Sequence, residues 1–271
     1  MSKSILITGS ASGMGLEYVK LAAKDHYDVV LVDINTAKMN EIKSEIESEY
    51  GVNVYAITAD LSQDEAAQAI YDECKSKGLE VYCLINNAGF GDFGRFLELP
   101  YEKERKLLGV NVISLMHLTH LFGNDMVRRG EGHILNVASI AAYIPGPFMP
   151  MYYATKAFVW SFSEAVAVEL RGTGVTVTTI SPGPTKTGFE KSAKMDGSKM
   201  FTLKPLQACT ADQVAKCGYD AMMKGKLLVH PHPKYEFFKI TWRMAPEWLR
   251  LPAVTFVNIG KFTGKGFKTK K

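Results

Sequence analysis

The sequence predicts an α/β fold, an open doubly wound parallel sheet of about seven strands in a single domain. Short β-branched apolar runs alternate with longer helical patterns from the first residues to about position 230, which is the pattern of parallel strands joined by helical crossovers. Most of those runs are apolar throughout rather than alternating, as strands covered on both faces require. With 271 residues, 46% of them hydrophobic and 22% charged, the chain can build one large core; disordered, collagen-like and coiled-coil classes are excluded.

In order, strands are expected at 4–8, 28–33, 53–59, 81–85, 133–138, 176–180 and 226–229. Helices are expected at 14–25, 36–49, 64–77, 101–128, 151–171 and 210–224, each long enough for a right-handed crossover. The stretch 184–208 carries Pro184, Gly188, Gly197 and Pro205 among scattered apolar residues and reads as a functional loop over the substrate. The chain thus divides into a part for dinucleotide binding and catalysis, 1–230, and a basic C-terminal extension of the same domain, 231–271.

The formal net charge of +4 is the sum of two unlike parts. Residues 224–271 hold 11 Lys and Arg against 2 Glu, a net of +9, and residues 1–223 carry a net of −5. No apolar run reaches the roughly 18 to 20 residues of a membrane-spanning helix. Met1-Ser2-Lys3 runs directly into Ile5-Leu6-Ile7 with no room for a secretory leader, so a cytoplasmic location is expected. Four cysteines without a CxxC pair read as reduced thiols, and His230 and His232 lack the Cys or carboxylate companions of a metal site, so no metal is expected.

Chemistry begins at Thr8-Gly9-Ser10-Ala11-Ser12-Gly13-Met14-Gly15, where the first strand ends and the first helix starts. Glycines there permit a tight turn and close backbone approach to a pyrophosphate, and the helix N-terminus offers free N–H groups, so Gly9, Ser12, Gly13, Met14 and Gly15 are candidate cofactor contacts. Asp33 closes the second strand 18 residues beyond Gly15, the place of an acid that accepts hydrogen bonds from an adenosine ribose. A 2′-phosphate beside it would meet repulsion of about 4 kcal/mol at about 4 Å with an effective dielectric near 20. NAD is therefore expected as the cofactor in preference to NADP.

From residue 4 to about 230 the sequence resembles the short-chain dehydrogenase/reductase family, whose fold is Rossmann-like. The glycine spacing at 9, 13 and 15 is similar to that family's motif, as are Asp60-Leu61 after the third strand and Asn86-Asn87-Ala88-Gly89 after the fourth. Asn111, Ser139, Tyr152 with Lys156 four residues on, Pro182-Gly183 and Thr187 follow in the family's order. The resemblance implies Asn111, Ser139, Tyr152 and Lys156 as catalytic residues. It implies cofactor contacts at Asp60, Leu61, Asn87, Ala88, Gly89, Tyr152, Lys156, Pro182, Gly183 and Thr187, and an assembly, homodimer or homotetramer, through the helices at 101–128 and 151–171.

Hydride transfer to or from an alcohol carbon needs a partner that moves a proton on the oxygen. Free tyrosine has a pKa of about 10, and one Lys⁺ at about 5 Å with an effective dielectric near 20 favours the phenolate by about 3 kcal/mol. Tyr152 shares the helix face of Lys156, and the adjacent Tyr153 points about 100° away and reads as a packing residue. In this scheme Ser139 holds the substrate oxygen and Asn111 supports a water-linked proton path from the lysine.

Tyr143, Ile144, Pro145, Phe148, Met149 and Met151 flank the expected site, as do Phe90, Phe93 and Phe96, and Phe189, Met195, Met200, Phe201, Leu203 and Leu206 within the 184–208 loop. Such Met-rich apolar surroundings fit a hydrophobic secondary alcohol or ketone, steroid-like or bile-acid-like in bulk. The other reading is a dinucleotide-binding regulator or scaffold without turnover. No nucleic-acid motif accompanies the basic tail; it is expected to cover the pocket or join a subunit interface, ahead of contact with a membrane.

Overall fold

A computed structural model describes residues 3–186 and 209–259. Seven parallel strands form one sheet in the order β3-β2-β1-β4-β5-β6-β9. They are β1 (Lys3–Thr8), β2 (Asp28–Asp33), β3 (Val54–Thr58), β4 (Glu80–Asn86), β5 (Gly132–Val137), β6 (Val175–Ile180) and β9 (Leu228–Val229). A two-residue parallel pair, β7 (Thr185–Lys186) with β8 (Cys209–Thr210), closes the ends of the 184–208 segment. The helices are α1 (Gly13–Lys24), α2 (Thr36–Tyr50), α3 (Ala66–Ser76), α4 (Tyr101–Leu108), α5 (Leu115–Arg129), α6 (Pro150–Glu169), α7 (Ala211–Met223), α8 (Pro233–Met244) and α9 (Glu247–Ile259).

The apolar strands split their side chains between two cores. Ile5 and Ile7 of β1 join Val29, Leu31, Cys83 and Ile85 beneath α1, α2 and α7. Leu6 joins Val30, Val32, Leu84 and Ile134 against α3 and α5 on the opposite face. Every second residue of a continuous apolar run therefore meets a different helix layer, which is what a doubly covered parallel sheet demands. Strand order reverses between β1 and β4, so the C-terminal ends of these two strands diverge and leave a crevice there.

The structure departs from the sequence expectation in three places. The helix expected at 101–128 is broken by a π-helical stretch, Gly109–Ser114, that separates α4 from α5. The last strand holds two residues, Leu228–Val229, because it pairs only with Thr179 and Ile180 at the sheet edge. The described part of the basic extension, for which no elements are expected, folds into α8 and α9. Thr187 and the apolar residues of the 184–208 segment from Phe189 to Leu206 lie outside the described residues.

Candidate active site

The glycine turn after β1 is built by backbone geometry that side chains would obstruct. Gly9 has φ of +65°, and a Cβ there would lie 3.0 Å from Ala88 Cα. A Cβ on Gly15 would lie 1.9 Å from the Gly9 carbonyl oxygen, so α1 approaches the turn only because the residue has no side chain. Asn87 donates to the Thr8 and Gly9 carbonyls at 2.9 and 3.2 Å, and the backbone N–H groups of Asn87 and Ala88 donate to Thr8 Oγ1 at 3.0 Å. Thr8 was not singled out in the sequence, yet its hydroxyl joins the β1 and β4 ends that frame the crevice.

Asp33 faces the same crevice while anchoring it. One carboxylate oxygen accepts from Ala11 N at 3.0 Å and the other from Asn35 N at 3.0 Å, which leaves lone pairs on both oxygens for a further donor. Asp60 accepts from Ser62 N at 2.9 Å; that bond, ahead of the opposing effect of burial, holds its carboxyl below the ordinary range. Leu61 accepts Ser114 Oγ at 2.7 Å through its carbonyl. Gly9, Ser12, Gly13, Asp33, Asp60 and Ala88 line one cleft of about 570 Å³. Its glycine floor, the N-terminus of α1 and the carboxylate at its far end fit the pyrophosphate and ribose of a nicotinamide dinucleotide.

A second pocket opens beside it, and Met14, Asn87 and Gly89 line both. Here the structure brings Ser139, Tyr152, Lys156, Pro182 and Gly183 together, although they come from the ends of β5 and β6 and the start of α6. Pro150 at the first position of α6 fixes the entry of the helix that carries Tyr152 and Lys156. Ser139 Oγ accepts from Ala141 N at 3.1 Å, and the Ser139 hydroxyl also hydrogen-bonds Tyr152. Lys156 is buried, donates to the Val137 carbonyl at 2.8 Å, and stands 5.9 Å from the Tyr152 ring centroid.

Burial dominates the electrostatics. It pushes the Tyr152 phenol up to about 12 against the opposing Ser139 hydrogen bond, and it pulls the Lys156 ammonium down to about 8. The lowering of the phenol expected from the lysine's charge is not found; burial sets the direction of the shift.

The π-helical stretch explains the placement of Asn111. Its amide donates to the Phe90 carbonyl at 3.0 Å and to Thr155 Oγ1 at 3.1 Å, and its Oδ1 accepts from Phe90 N at 3.1 Å. A Cβ on Gly89 would meet Asn111 Oδ1 at 3.1 Å and Lys156 Nζ at 3.4 Å, so both side chains converge on the same glycine. One extra residue in a helical turn re-aims the side chains that follow it.

The extension supplies the outer wall of the pocket. Phe238 and Trp242 of α8 and Ala253, Val254 and Val257 of α9 line it. Tyr153 donates to Asn258 Oδ1 at 3.1 Å and Asn258 donates to the Pro147 carbonyl at 2.8 Å, so the packing residue beside the candidate acid/base holds α9. His230 accepts from or donates to Tyr143 at 2.9 Å through Nε2 and meets Glu236 at 2.7 Å through Nδ1, tying α8 to the turn after Ser139. A Cβ on Gly183 would lie 2.3 Å from the Tyr235 ring, a close approach no sequence pattern signals. Among the described residues no group of His, Cys, Asp and Glu could hold a metal ion.

Comparisons with known proteins bear on the family and the fold. A family model described as short chain dehydrogenase matches residues 3–197. The chain is 33% identical over 266 residues to the probable oxidoreductase EphD of Mycobacterium tuberculosis, an alignment covering 92% of this chain and 44% of that protein, so the chain spans less than half the length of this relative. It is 32% identical over 182 residues to the 7beta-hydroxysteroid dehydrogenase of Collinsella aerofaciens, covering 67% and 68% of the two chains. A short-chain dehydrogenase from Sphingobium yanoikuyae, solved in complex with NADPH, superimposes with a TM-score of 0.79 at 27% identity over 88% of this chain and 92% of that one. The glycine turn, the Ser139, Tyr152 and Lys156 cluster and the family match over residues 3–197 together place this chain in the short-chain dehydrogenase family.

Proposed function

We propose that the protein is an oxidoreductase that interconverts a bulky hydrophobic secondary alcohol and its ketone, with NAD bound in preference to NADP. The observation that carries this reading is the position of Tyr152, Ser139 and Lys156 where the dinucleotide-shaped cleft meets an apolar pocket. When bound, the nicotinamide would supply the hydride in ketone reduction and accept it in alcohol oxidation. Tyr152 delivers or accepts the proton at the substrate oxygen, Ser139 holds that oxygen in line, and Lys156 orients the phenol from one helical turn away. A phenol held protonated by burial is the form needed to donate to a nascent alkoxide in ketone reduction.

Walls of Ile144, Met149, Trp242 and Val254 support an apolar substrate, and the similarity to a hydroxysteroid dehydrogenase supports steroid-like bulk. The pocket holds about 140 Å³, below the roughly 300 Å³ at which ligand pockets begin, and it is open on one side, so a larger substrate extends beyond it. Asp33 supports NAD through its free lone pairs at the ribose end of the cleft. Exposed Tyr101, Met116, Phe158 and Val168 on α4, α5 and α6 support pairing of two copies through these helices.

The test is Tyr152→Phe, assayed by reduced-nicotinamide absorbance on steroid, bile-acid and bulky aliphatic ketones. Loss of at least about 100-fold in kcat with NADH affinity kept is expected. Turnover within about tenfold of wild type would remove Tyr152 from the proton step. Equal or tighter binding of NADPH than NADH, read by fluorescence, would overturn the role of Asp33.

A further inference from the structure

Helix α8 is apolar on two faces. Tyr235, Phe238 and Trp242 turn inward to the pocket and its rim, and Phe237, Ile240 and Met244, spaced three and four residues apart, form a second stripe on the opposite side. That second stripe is open: Phe237 is 70% exposed, Ile240 53% and Met244 81%. Trp248 and Leu249 at the start of α9 extend it with exposures of 77% and 49%. An open apolar stripe of this kind marks an interaction surface.

Charge identifies what covers it. The segment that carries this stripe, residues 224–271, has a net charge of +9 in sequence. Both carboxylates of the segment are already engaged, Glu236 with His230 and Lys239, and Glu247 with Arg250. Residues 260–271 add Lys261, Lys265, Lys268, Lys270 and Lys271 with no acid. A two-fold contact would lay this basic patch on itself and set like net charge against like, so a second copy of the chain is the wrong occupant. An anionic lipid surface supplies both an apolar layer for Phe237, Ile240, Met244 and Trp248 and negative headgroups for the lysines.

We propose that α8 and α9 dock on an anionic bilayer and that a lipid-borne ketone or alcohol passes from it between these helices into the pocket that their inner faces line. The docking stands on the surface alone; the passage of substrate rests on the function proposed above. Sequence alone ranks membrane contact behind the pocket and the subunit interface; the structure turns one face of this helix pair to the pocket and leaves the other exposed.

The experiment is sedimentation of the full-length protein with vesicles, without cofactor or substrate. Wild type is expected to partition at least tenfold more strongly into phosphatidylcholine vesicles containing phosphatidylglycerol than into phosphatidylcholine alone, and to be released by high salt. The triple variant Phe237→Ser, Ile240→Ser, Trp248→Ser is expected to lose at least tenfold of that partition while keeping its circular dichroism spectrum and NADH affinity. Equal partition of wild type and variant, or a variant that instead loses self-association in the ultracentrifuge, overturns the docking. For the passage, kcat/KM on a steroid ketone carried in the anionic vesicles is expected to fall tenfold in the variant and to be unchanged when the ketone is delivered on cyclodextrin; equal falls overturn it. Absence of turnover by wild type in both formats, with vesicle binding intact, is instead a failure of the proposed reaction.

Discussion

Lys156 is a cation with almost no contact with water, and its ammonium donates to the Val137 carbonyl at 2.8 Å. Burial lowers its pKa from 10.5 to about 8, so between these values the unfolded chain binds a proton that the folded protein does not. Stability attributable to this residue therefore rises with pH across that window, and below about pH 8 the fold carries the whole cost of a buried charge, about 3 kcal/mol. Tyr152 shifts the other way, to about 12, and affects stability only above pH 10, where the unfolded phenol ionises first. Lys156→Met removes the lysine's contribution without removing its bulk. Urea unfolding should show Met more favourable relative to Lys at pH 7 than at pH 9.5 by about 2 kcal/mol. Parallel pH curves for the two proteins would mean that Lys156 keeps an ordinary pKa in the fold.

At the level of elements, the turn after Ser139 is held from outside by the extension. Tyr143 in the short turn after Ser139 is buried, and its hydroxyl meets His230 Nε2 at 2.9 Å. Burial lowers the His230 pKa against the pull of Glu236, which fits a neutral ring that donates from Nδ1 to Glu236 and accepts from Tyr143 at Nε2. His230→Ala leaves the buried Tyr143 hydroxyl without this partner, so a loss of about 1–3 kcal/mol is expected in urea unfolding, with faster proteolysis within α8. Unchanged stability and protection would show that α8 is held by its apolar contacts alone. None of this was legible in the sequence, where His-Pro-His-Pro invited only a metal reading that its neighbours did not support. The strands β1 to β6 were legible because their continuous β-branched runs leave little freedom of assignment, and Tyr152 was separated from Tyr153 by helical periodicity. The π-helical stretch was not, since one inserted residue barely disturbs apolar spacing over 101–128.

Across the whole molecule, two clefts are made by different parts of the chain. Among the described residues, those lining the dinucleotide cleft run from Gly9 to Val110, from the first half of the sheet. The apolar pocket draws on residues from Met14 to Val257, and its outer wall comes from beyond residue 233. Met14, Asn87 and Gly89 belong to both, which puts the crossing point at the switch in strand order between β1 and β4. Binding of the cofactor and of the substrate should therefore be separable by shortening the chain. A protein ending after Pro231 retains every described residue of the dinucleotide cleft and loses Phe238, Trp242, Val254 and Val257 from the pocket. NADH titration by fluorescence is expected to give a Kd within about threefold of wild type, equivalent to less than about 1 kcal/mol. Turnover of a bulky ketone is expected to fall at least about 100-fold, because some 3 kcal/mol of apolar contact and water exclusion at the proton-transfer site leave with the two helices. If NADH affinity collapsed along with turnover, the two clefts would be one cooperative unit, and α8 and α9 would have to be counted as part of the dinucleotide-binding fold.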